Sequence, residues 1–167
     1  MRFAIVLSVL IAPLGVFAAP IVEVKDNAAA LASRQAAPVK PPPCVRRPGT
    51  TVLETKKRSE AFAQAFIYKK DISEAFKYIV ADYINHNPLA QNGSDSAWGI
   101  LSPIWASQNI TPLRTTFQDP QSWLNYRSSF GTIVDRFRWE GGCIVEHWDQ
   151  GEQFPATTVN ACKSSGY

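Results

Sequence analysis

Apolar residues recur at every third or fourth position from about Val52 to Lys70, which is the spacing of one face of an α-helix. The residues that share this face are Ser59, Phe62, Ala63, Phe66 and Ile67. A second helix is predicted to begin at Asp71, which has Glu74 at the spacing of a capping box, and to end before Pro88. Its apolar stripe consists of Ile72, Phe76, Ile79, Tyr83 and His86.

A third helix is predicted to begin at Ser94, and Pro103 should kink or end it. The residues on its common face are Trp98, Leu101 and Trp105. Beyond Asn109 the pattern is typical of strands separated by turns. The predicted strands are Thr111 to Gln118, Trp123 to Phe130, Thr132 to Trp139 and Cys143 to Asp149. Three helices followed by at least four antiparallel strands predict an α+β domain, in which the helices cover one face of a curved sheet.

The N-terminal third of the chain has a different composition from the rest. Residues 1–18 combine Arg2, an apolar run and small residues before Ala19, which is typical of a cleaved secretory signal peptide. Residues 19–49 are rich in alanine and then in proline, which predicts an extended, disordered segment. Residues 50–167 should form the folded domain. We therefore expect a secreted, extracellular protein that does not stay in a membrane once the signal is removed.

The formal net charge of +3 comes from the residues before Gly49, because basic and acidic residues nearly balance from there onward. A nucleic-acid-binding domain would carry its excess positive charge on the folded part. We therefore expect no nucleic-acid partner.

The three cysteines are Cys44, Cys143 and Cys162. In an oxidising compartment they allow one internal disulfide and leave one thiol over, and the sequence does not choose the pair. Asn92-Gly93-Ser94 is an acceptor sequence for N-glycosylation, so Asn92 is a predicted modification site.

A candidate site lies on the last predicted hairpin. If Glu140-Gly141-Gly142 is a three-residue loop, Asp135 lies opposite His147 and Phe137 lies opposite Val145, all on one face of the sheet. A carboxylate beside an imidazole in apolar surroundings is typical of groups that transfer protons near neutral pH. The alternative is a cross-strand pair that only fixes the register.

Two further features bear on this hairpin. Asp149 follows on the same face, either as a third polar group of the site or as a cap of the strand end. His86, His147 and a carboxylate could form a metal site, but no dense ligand motif supports one, and we expect neither a metal nor a cofactor. The opposite face carries Arg136 and Arg138 and should meet solvent or a partner.

Two stretches resemble the SnoaL-like polyketide cyclase family of the nuclear transport factor 2-like superfamily. They are Tyr83-Ile84-Asn85-His86-Asn87-Pro88 and the hairpin that runs from Ile133-Val134-Asp135 to Glu146-His147-Trp148-Asp149. The resemblance implies a cone-shaped α+β barrel around a deep apolar pocket. It also implies cofactor-free catalysis in which Asp135 abstracts a proton, His147 and His86 polarise a carbonyl, and Asp149 resembles a hydrolase carboxylate.

We expect this pocket to bind a small apolar ligand. The residues expected to contact the ligand are Tyr83, Asn87, Trp98, Trp105, Phe137 and Val145. Three hypotheses for the function follow. The first is a secreted cyclase, isomerase or hydratase that acts on an apolar carbonyl compound. The second is a non-catalytic module that holds a ligand or forms a homodimer through the sheet face, and a third hypothesis gives the activity to the proline-rich tail.

Overall fold

The structure is a computed structural model that describes residues 37–156. The predicted signal peptide, the first part of the alanine- and proline-rich segment and Cys162 lie outside the described residues. No helix within residues 37–156 combines the length and the apolar character that a membrane span requires.

Within residues 37–156, three α-helices precede most of the sheet. They are α1 (Val52–Ala63), α2 (Ile72–Phe76) and α3 (Ser94–Leu101). Thr51 and Glu54 form a capping box at the start of α1, which satisfies backbone N–H groups that a helix end leaves free. A π-helical turn, Gln64–Tyr68, extends α1, and a short 3₁₀ turn, Trp105–Ser107, follows α3. The three helices are those that the sequence predicts, although α2 is much shorter.

In the part of the chain that the structure describes, five strands form one sheet. They are β1 (Ile79–Asn85), β2 (Thr111–Gln118), β3 (Gln121–Ser128), β4 (Gly131–Glu140) and β5 (Cys143–Trp148). Their order across the sheet is β1-β5-β4-β3-β2. β1 runs parallel to β5, and the other neighbours are antiparallel. Helices packed on a mostly antiparallel sheet confirm the predicted α+β class.

The predicted second helix is wrong beyond Phe76, because residues 79–85 form β1 instead. Ile79 and Tyr83 are four residues apart, and residues at this spacing share a face in a strand as well as in a helix. The segment is rich in β-branched and aromatic side chains, which suit a strand. Pairing with β5 therefore overrides the helical periodicity.

The predicted register of the last hairpin is also wrong. Gly141 and Gly142 alone form the turn, both with positive φ, and Glu140 pairs with Cys143. A loop shortened by one residue would turn the side chains of β5 to the opposite face. A β-bulge at Val145 adds one residue and restores the face, so that His147 lies opposite Phe137.

Aromatic side chains join the helices to the sheet. The Phe62 ring of α1 lies 4.9 Å from the Phe137 ring of β4, in an edge-to-face arrangement. The Phe66 ring stacks on Trp105 at 4.1 Å, and Trp105 Nε1 donates a hydrogen bond of 2.7 Å to the Phe66 carbonyl. The apolar core therefore lies between the helices and the inner face of the sheet.

The described part of the proline-rich segment, residues 37–49, has no helix or strand, and we call it the strap. Its last residues are attached to the domain rather than free. A disulfide joins Cys44 to the fully buried Cys143. The backbone N–H of Cys44 donates a hydrogen bond of 2.8 Å to the carbonyl oxygen of Ile79. The backbone N–H of Arg47 donates a hydrogen bond of 2.9 Å to the carbonyl oxygen of Gly141. Any side chain at Gly141 would collide with the strap. The covalent bond resolves the open choice of disulfide partners.

Candidate functional site

A cavity of about 500 Å³ lies between the helices and the inner face of the sheet. Most of its wall is apolar, from Phe62, Phe66, Phe76, Ile79, Leu101, Ile104, Trp105 and Phe137. Its polar wall is formed by Tyr83, Asn85, Asn87, Tyr126, Asp135, His147 and Asp149. Leu89 and Phe130 also line it and are 85% and 74% exposed, so they lie at its opening. An apolar cavity with one polar wall is the usual form of a small-molecule site.

Asp135 is the buried carboxyl group of this wall, with only 4% of the residue exposed. Its Oδ2 accepts a hydrogen bond of 2.9 Å from the Tyr126 hydroxyl. Its Oδ1 lies 3.1 Å from His147 Nε2. A buried carboxyl group requires such partners, because burial without them costs several kcal/mol, roughly 2–7 for a polar group.

Four side chains surround the ring of His147. Its ring stacks on Phe137 with centroids 4.9 Å apart, and Tyr83 lies 6.4 Å away. Its Nδ1 lies 3.3 Å from Asn85 Oδ1, while Nε2 faces Asp135. The parallel pairing of β1 with β5 places Asn85 beside His147 and so brings the two side chains together.

Asp149 lies just beyond β5 and is oriented by the loop that follows β1. Asn87 Nδ2 donates a hydrogen bond of 2.6 Å to Asp149 Oδ2. Asn87 Oδ1 accepts from Leu89 N–H at 2.8 Å, which fixes the orientation of the amide. Within residues 37–156, Asp149 Oδ1 is buried without a hydrogen-bond partner. Asp149 is therefore held as part of the site.

Both cavity tyrosines remain protonated over a wide pH range. Burial raises the pKa of Tyr126 well above its usual value, and the charge of Asp135 and the hydrogen bond to it act in the same direction. Burial also raises the pKa of Tyr83, assisted by the charges of Asp135 and Asp149. Each hydroxyl is therefore a hydrogen-bond donor, and no partner for the Tyr83 hydroxyl is found among the described residues.

The structure brings together most of the residues that the sequence singled out. The predicted site residues that line the cavity are Tyr83, Asn87, Trp105, Asp135, Phe137, His147 and Asp149. Trp98 instead packs edge-on against the far side of Phe76, with centroids 5.1 Å apart. Val145 is buried in the core at the bulge and does not line the cavity.

His86 lies on the opposite face from the cavity. Its ring stacks on Trp148 with centroids 4.4 Å apart, and its Nε2 lies 3.3 Å from Glu146 Oε2. Alternation along an extended chain explains this, because Asn85 and Asn87 point into the site and the residue between them points out. His86 is therefore not placed to polarise a carbonyl in the cavity.

The arginines of the outer face are paired within the chain. Arg136 makes two hydrogen bonds to Glu152, at 2.8 and 2.9 Å, and Arg138 bonds to Glu146. Burial raises the pKa of Glu146, but its hydrogen bonds to Arg138 and His86 outweigh this and lower the pKa. A homodimer through this face stays a prediction.

Two residues of the site were missed by the sequence analysis. Tyr126 shares a face of β3 with Leu124, which pairs with Asp135, so two-residue alternation would have found it once the register was known. Asn85 was assigned to a helix end, and only a strand assignment for residues 79–85 would have brought it beside His147.

Asn92, the predicted glycosylation site, is exposed in the loop after β1. Its Oδ1 accepts a hydrogen bond of 2.9 Å from Asn85 N–H, so this side chain supports the loop that carries the site. Glycosylation there stays a prediction.

Asp135, His147 and Asp149 offer ligand atoms within 4.8 Å of one another. A cation bound among them would have to replace the hydrogen bond between Asp135 and His147, because Nε2 is the ring nitrogen that faces the carboxyl group. The hydrogen-bonded partners of these side chains fit an acid–base cluster better than a metal centre. His86 does not lie with them.

A second depression, of about 830 Å³, is formed by the strap and the ends of α1 and α2. Its walls include the charged side chains of Arg47, Glu54, Lys57, Glu74 and Lys77. We place the candidate site in the smaller cavity because it is apolar and contains the buried carboxyl group and the imidazole.

Comparison with solved structures finds similar folds at low sequence identity. An NTF-2-like protein of unknown function from Burkholderia xenovorans is 15% identical, with a TM-score of 0.49; the match covers 64% of this chain and 89% of that chain. A SnoaL-like protein of unknown function from Burkholderia thailandensis is 13% identical, with a TM-score of 0.47 and coverage of 60% and 96%.

A third similar structure comes from Sinorhizobium meliloti and is named as a candidate polyketide cyclase. It is 14% identical, with a TM-score of 0.46, and the match covers 60% of this chain and 100% of that chain. No family model and no curated protein matches the sequence. The likeness to these structures concerns the fold alone.

Proposed function

We propose that this protein is an enzyme that moves a proton on a small apolar carbonyl compound, with Asp135 and His147 as its acid–base pair. The observation that carries the proposal is the contact of 3.1 Å between Asp135 Oδ1 and His147 Nε2, buried on the polar wall of an apolar cavity. Catalytic acids and bases are typically found where burial and a charged neighbour act together.

The size and walls of the cavity support the choice of substrate. A volume of about 500 Å³ lies within the range of roughly 300–1,000 Å³ that is usual for small-molecule pockets. The exposed apolar side chains Leu89 and Phe130 at its opening favour an apolar substrate. A carbonyl oxygen would be the polar part of such a molecule and would lie at the polar wall.

Proton transfer would proceed between named atoms. A carboxylate oxygen has two lone pairs, so Asp135 retains one on each oxygen beside its hydrogen bonds to Tyr126 and His147. That lone pair takes a proton from the carbon next to the carbonyl, and the negative charge moves to the carbonyl oxygen. Tyr83 lines the cavity, and its hydroxyl would donate a hydrogen bond to that oxygen.

Cyclisation, isomerisation and dehydration can all begin with this step. The enolate can attack a second carbonyl of the same molecule, take a proton back at another carbon, or expel a hydroxyl group. The cavity supports the shared first step and does not choose among the three outcomes.

The proposal is tested by deuterium exchange in heavy water, which reports proton abstraction whatever step follows. The probes are β-ketoesters with alkyl and aryl substituents, and incorporation of deuterium at the acidic carbon is followed by mass spectrometry. General-base catalysis contributes roughly 10²- to 10⁴-fold, so Asp135→Asn should lose that factor. Asp95→Asn is the matched control, because the Asp95 side chain is 94% exposed.

The second candidate is a binding module without catalysis. The observation in its favour is that both oxygens of Asp135 and both ring nitrogens of His147 already have partners. It predicts that native mass spectrometry of the purified protein finds a retained ligand, and that no probe exchanges faster than in buffer. Exchange that is fast and depends on Asp135 would exclude it.

We also propose that the protein acts outside the cell. The sequence of residues 1–18 supports this, and so does the disulfide between Cys44 and Cys143, since such bonds persist in oxidising compartments. N-terminal sequencing of the protein from culture medium tests it, and recovery only of intracellular protein that retains Met1 would contradict it.

A further inference from the structure

We propose that Asn85 is a positioning residue that keeps a permanent proton on His147 Nδ1 and leaves Nε2 as the nitrogen that exchanges a proton with Asp135. The inference deepens the proposed function, since it describes the same acid–base pair. Its test reads the protonation of the ring directly and does not depend on turnover.

The argument begins with the position of Asn85 at the end of β1. Asn85 pairs with His147 across the parallel strands, and its Oδ1 lies 3.3 Å from His147 Nδ1. A second donor reaches the same atom, because Asn87 N–H points at it from 3.0 Å. A backbone N–H can only donate, so the side-chain atom that it meets must be the carbonyl oxygen and not the amide nitrogen.

The orientation of this amide determines the state of the ring. An oxygen has no proton to give, so the contact with His147 is a hydrogen bond only if Nδ1 carries the proton. In many histidine sites, the hydrogen bond made by one ring nitrogen determines which of the two nitrogens carries the proton. Asn85 is the partner that sets it here.

The consequence falls on the other side of the ring. With Nδ1 protonated, the contact of 3.1 Å between Nε2 and Asp135 Oδ1 needs one further proton. It lies either on Nε2, as imidazolium beside carboxylate, or on Asp135, as carboxylic acid beside a neutral ring. The pair therefore holds an exchangeable proton. Without Asn85, a neutral ring could carry its only proton on Nε2 and form a static pair with the carboxylate.

The titratable groups that surround His147 fit this arrangement. Asp135 comes from β4, Asp149 follows β5, Tyr83 comes from β1 and Tyr126 comes from β3. The two tyrosines donate and do not compete as bases, since burial keeps them protonated. The helices contribute apolar side chains to this part of the cavity, with Phe62, Phe66 and Phe76 among them.

The chain is well suited to a direct test because it contains only two histidines. Long-range ¹H–¹⁵N correlation NMR distinguishes protonated from unprotonated ring nitrogens, and the variant His86→Gln assigns the remaining signals to His147. In the wild-type protein we expect Nδ1 of His147 to be protonated at every pH at which the protein is folded. A bare Nδ1 at any such pH would overturn the proposal.

Two variants separate positioning from general stability. Asn85→Asp keeps an acceptor and should keep the proton on Nδ1, whereas Asn85→Leu should move the neutral ring to the form with a bare Nδ1. In both variants the signals of His86, on the opposite face, should stay unchanged and serve as the internal control. If Asn85→Leu does not fold, the wild-type spectrum and Asn85→Asp still decide the question. An unchanged His147 tautomer in folded Asn85→Leu would refute the role of Asn85.

Discussion

Removal of the Cys44–Cys143 disulfide should cost a large share of the stability of the domain. The two cysteines are 99 residues apart in the sequence, and cross-linking a loop of that length restricts the unfolded chain by about 4.7 kcal/mol. The total stability of a domain is about 5–15 kcal/mol. The other strap contacts include the exposed ion pair between Arg46 and Asp82, and such pairs contribute little.

The experiment compares Cys162→Ser with Cys44→Ala/Cys162→Ser by urea unfolding. Cys162 is replaced in both proteins so that no new disulfide can form. Cys44 is chosen because it is only partly buried, whereas truncation of the fully buried Cys143 would also open a cavity in the core. We expect the free energy of unfolding to fall by about 4–5 kcal/mol.

A loss below about 1 kcal/mol would refute this reasoning, because an intact cross-link cannot then be the main restriction on the unfolded chain. Asp82→Ala is the control for the polar contacts of the strap. It removes the carboxylate that Arg46 binds at 2.9 and 3.0 Å. Its effect should be much smaller than that of the missing disulfide.

Three further predictions concern the cavity. Asp135→Asn should be nearly as stable as the wild type, because the new amide can accept a hydrogen bond from Tyr126 and donate one to His147 Nε2. Asp135→Leu satisfies neither partner, so urea unfolding should show a loss of about 1–3 kcal/mol for each of them. Tyr126 and Tyr83 have pKa values raised in the folded state, so their contribution to stability is complete below about pH 10 and is lost as the pH rises further. In a titration to high pH, the tyrosinate absorbance of Tyr83 and Tyr126 should appear only as the protein unfolds. Ionisation of all the tyrosines while the protein is still folded would contradict this. His86→Gln should leave deuterium exchange of the β-ketoesters unchanged, and a loss comparable to that of Asp135→Asn would return His86 to the site.

The fold was predictable where one pattern dominates. The strand predicted over Thr111–Gln118 has the same bounds in the structure, and the first helix begins at Val52 in both. β1 could not be predicted in this way, because its apolar residues fit both a helix and a strand. Its identity depends on pairing with β5, which is more than 50 residues away and leaves no local signal.

The contact between Asp135 and His147 was predicted although the register was not. The face on which a side chain of β5 lies depends only on whether the number of residues between it and β4 is odd or even. The shorter turn at Gly141-Gly142 and the bulge at Val145 each change this count by one, so the two effects cancel. The contact between Asn85 and His147 could not be predicted, because it depends on the pairing of β1 with β5.

The parallel pairing of β1 with β5 has a consequence for how the protein folds. The contacts of His147 with Asn85 and of Asp149 with Asn87 each join residues 62 positions apart. Contacts between distant residues form slowly, because a long loop must close before they are made. The polar wall of the cavity should thus be among the last parts to assemble, and a nascent chain has no acid–base pair until β5 has joined the sheet.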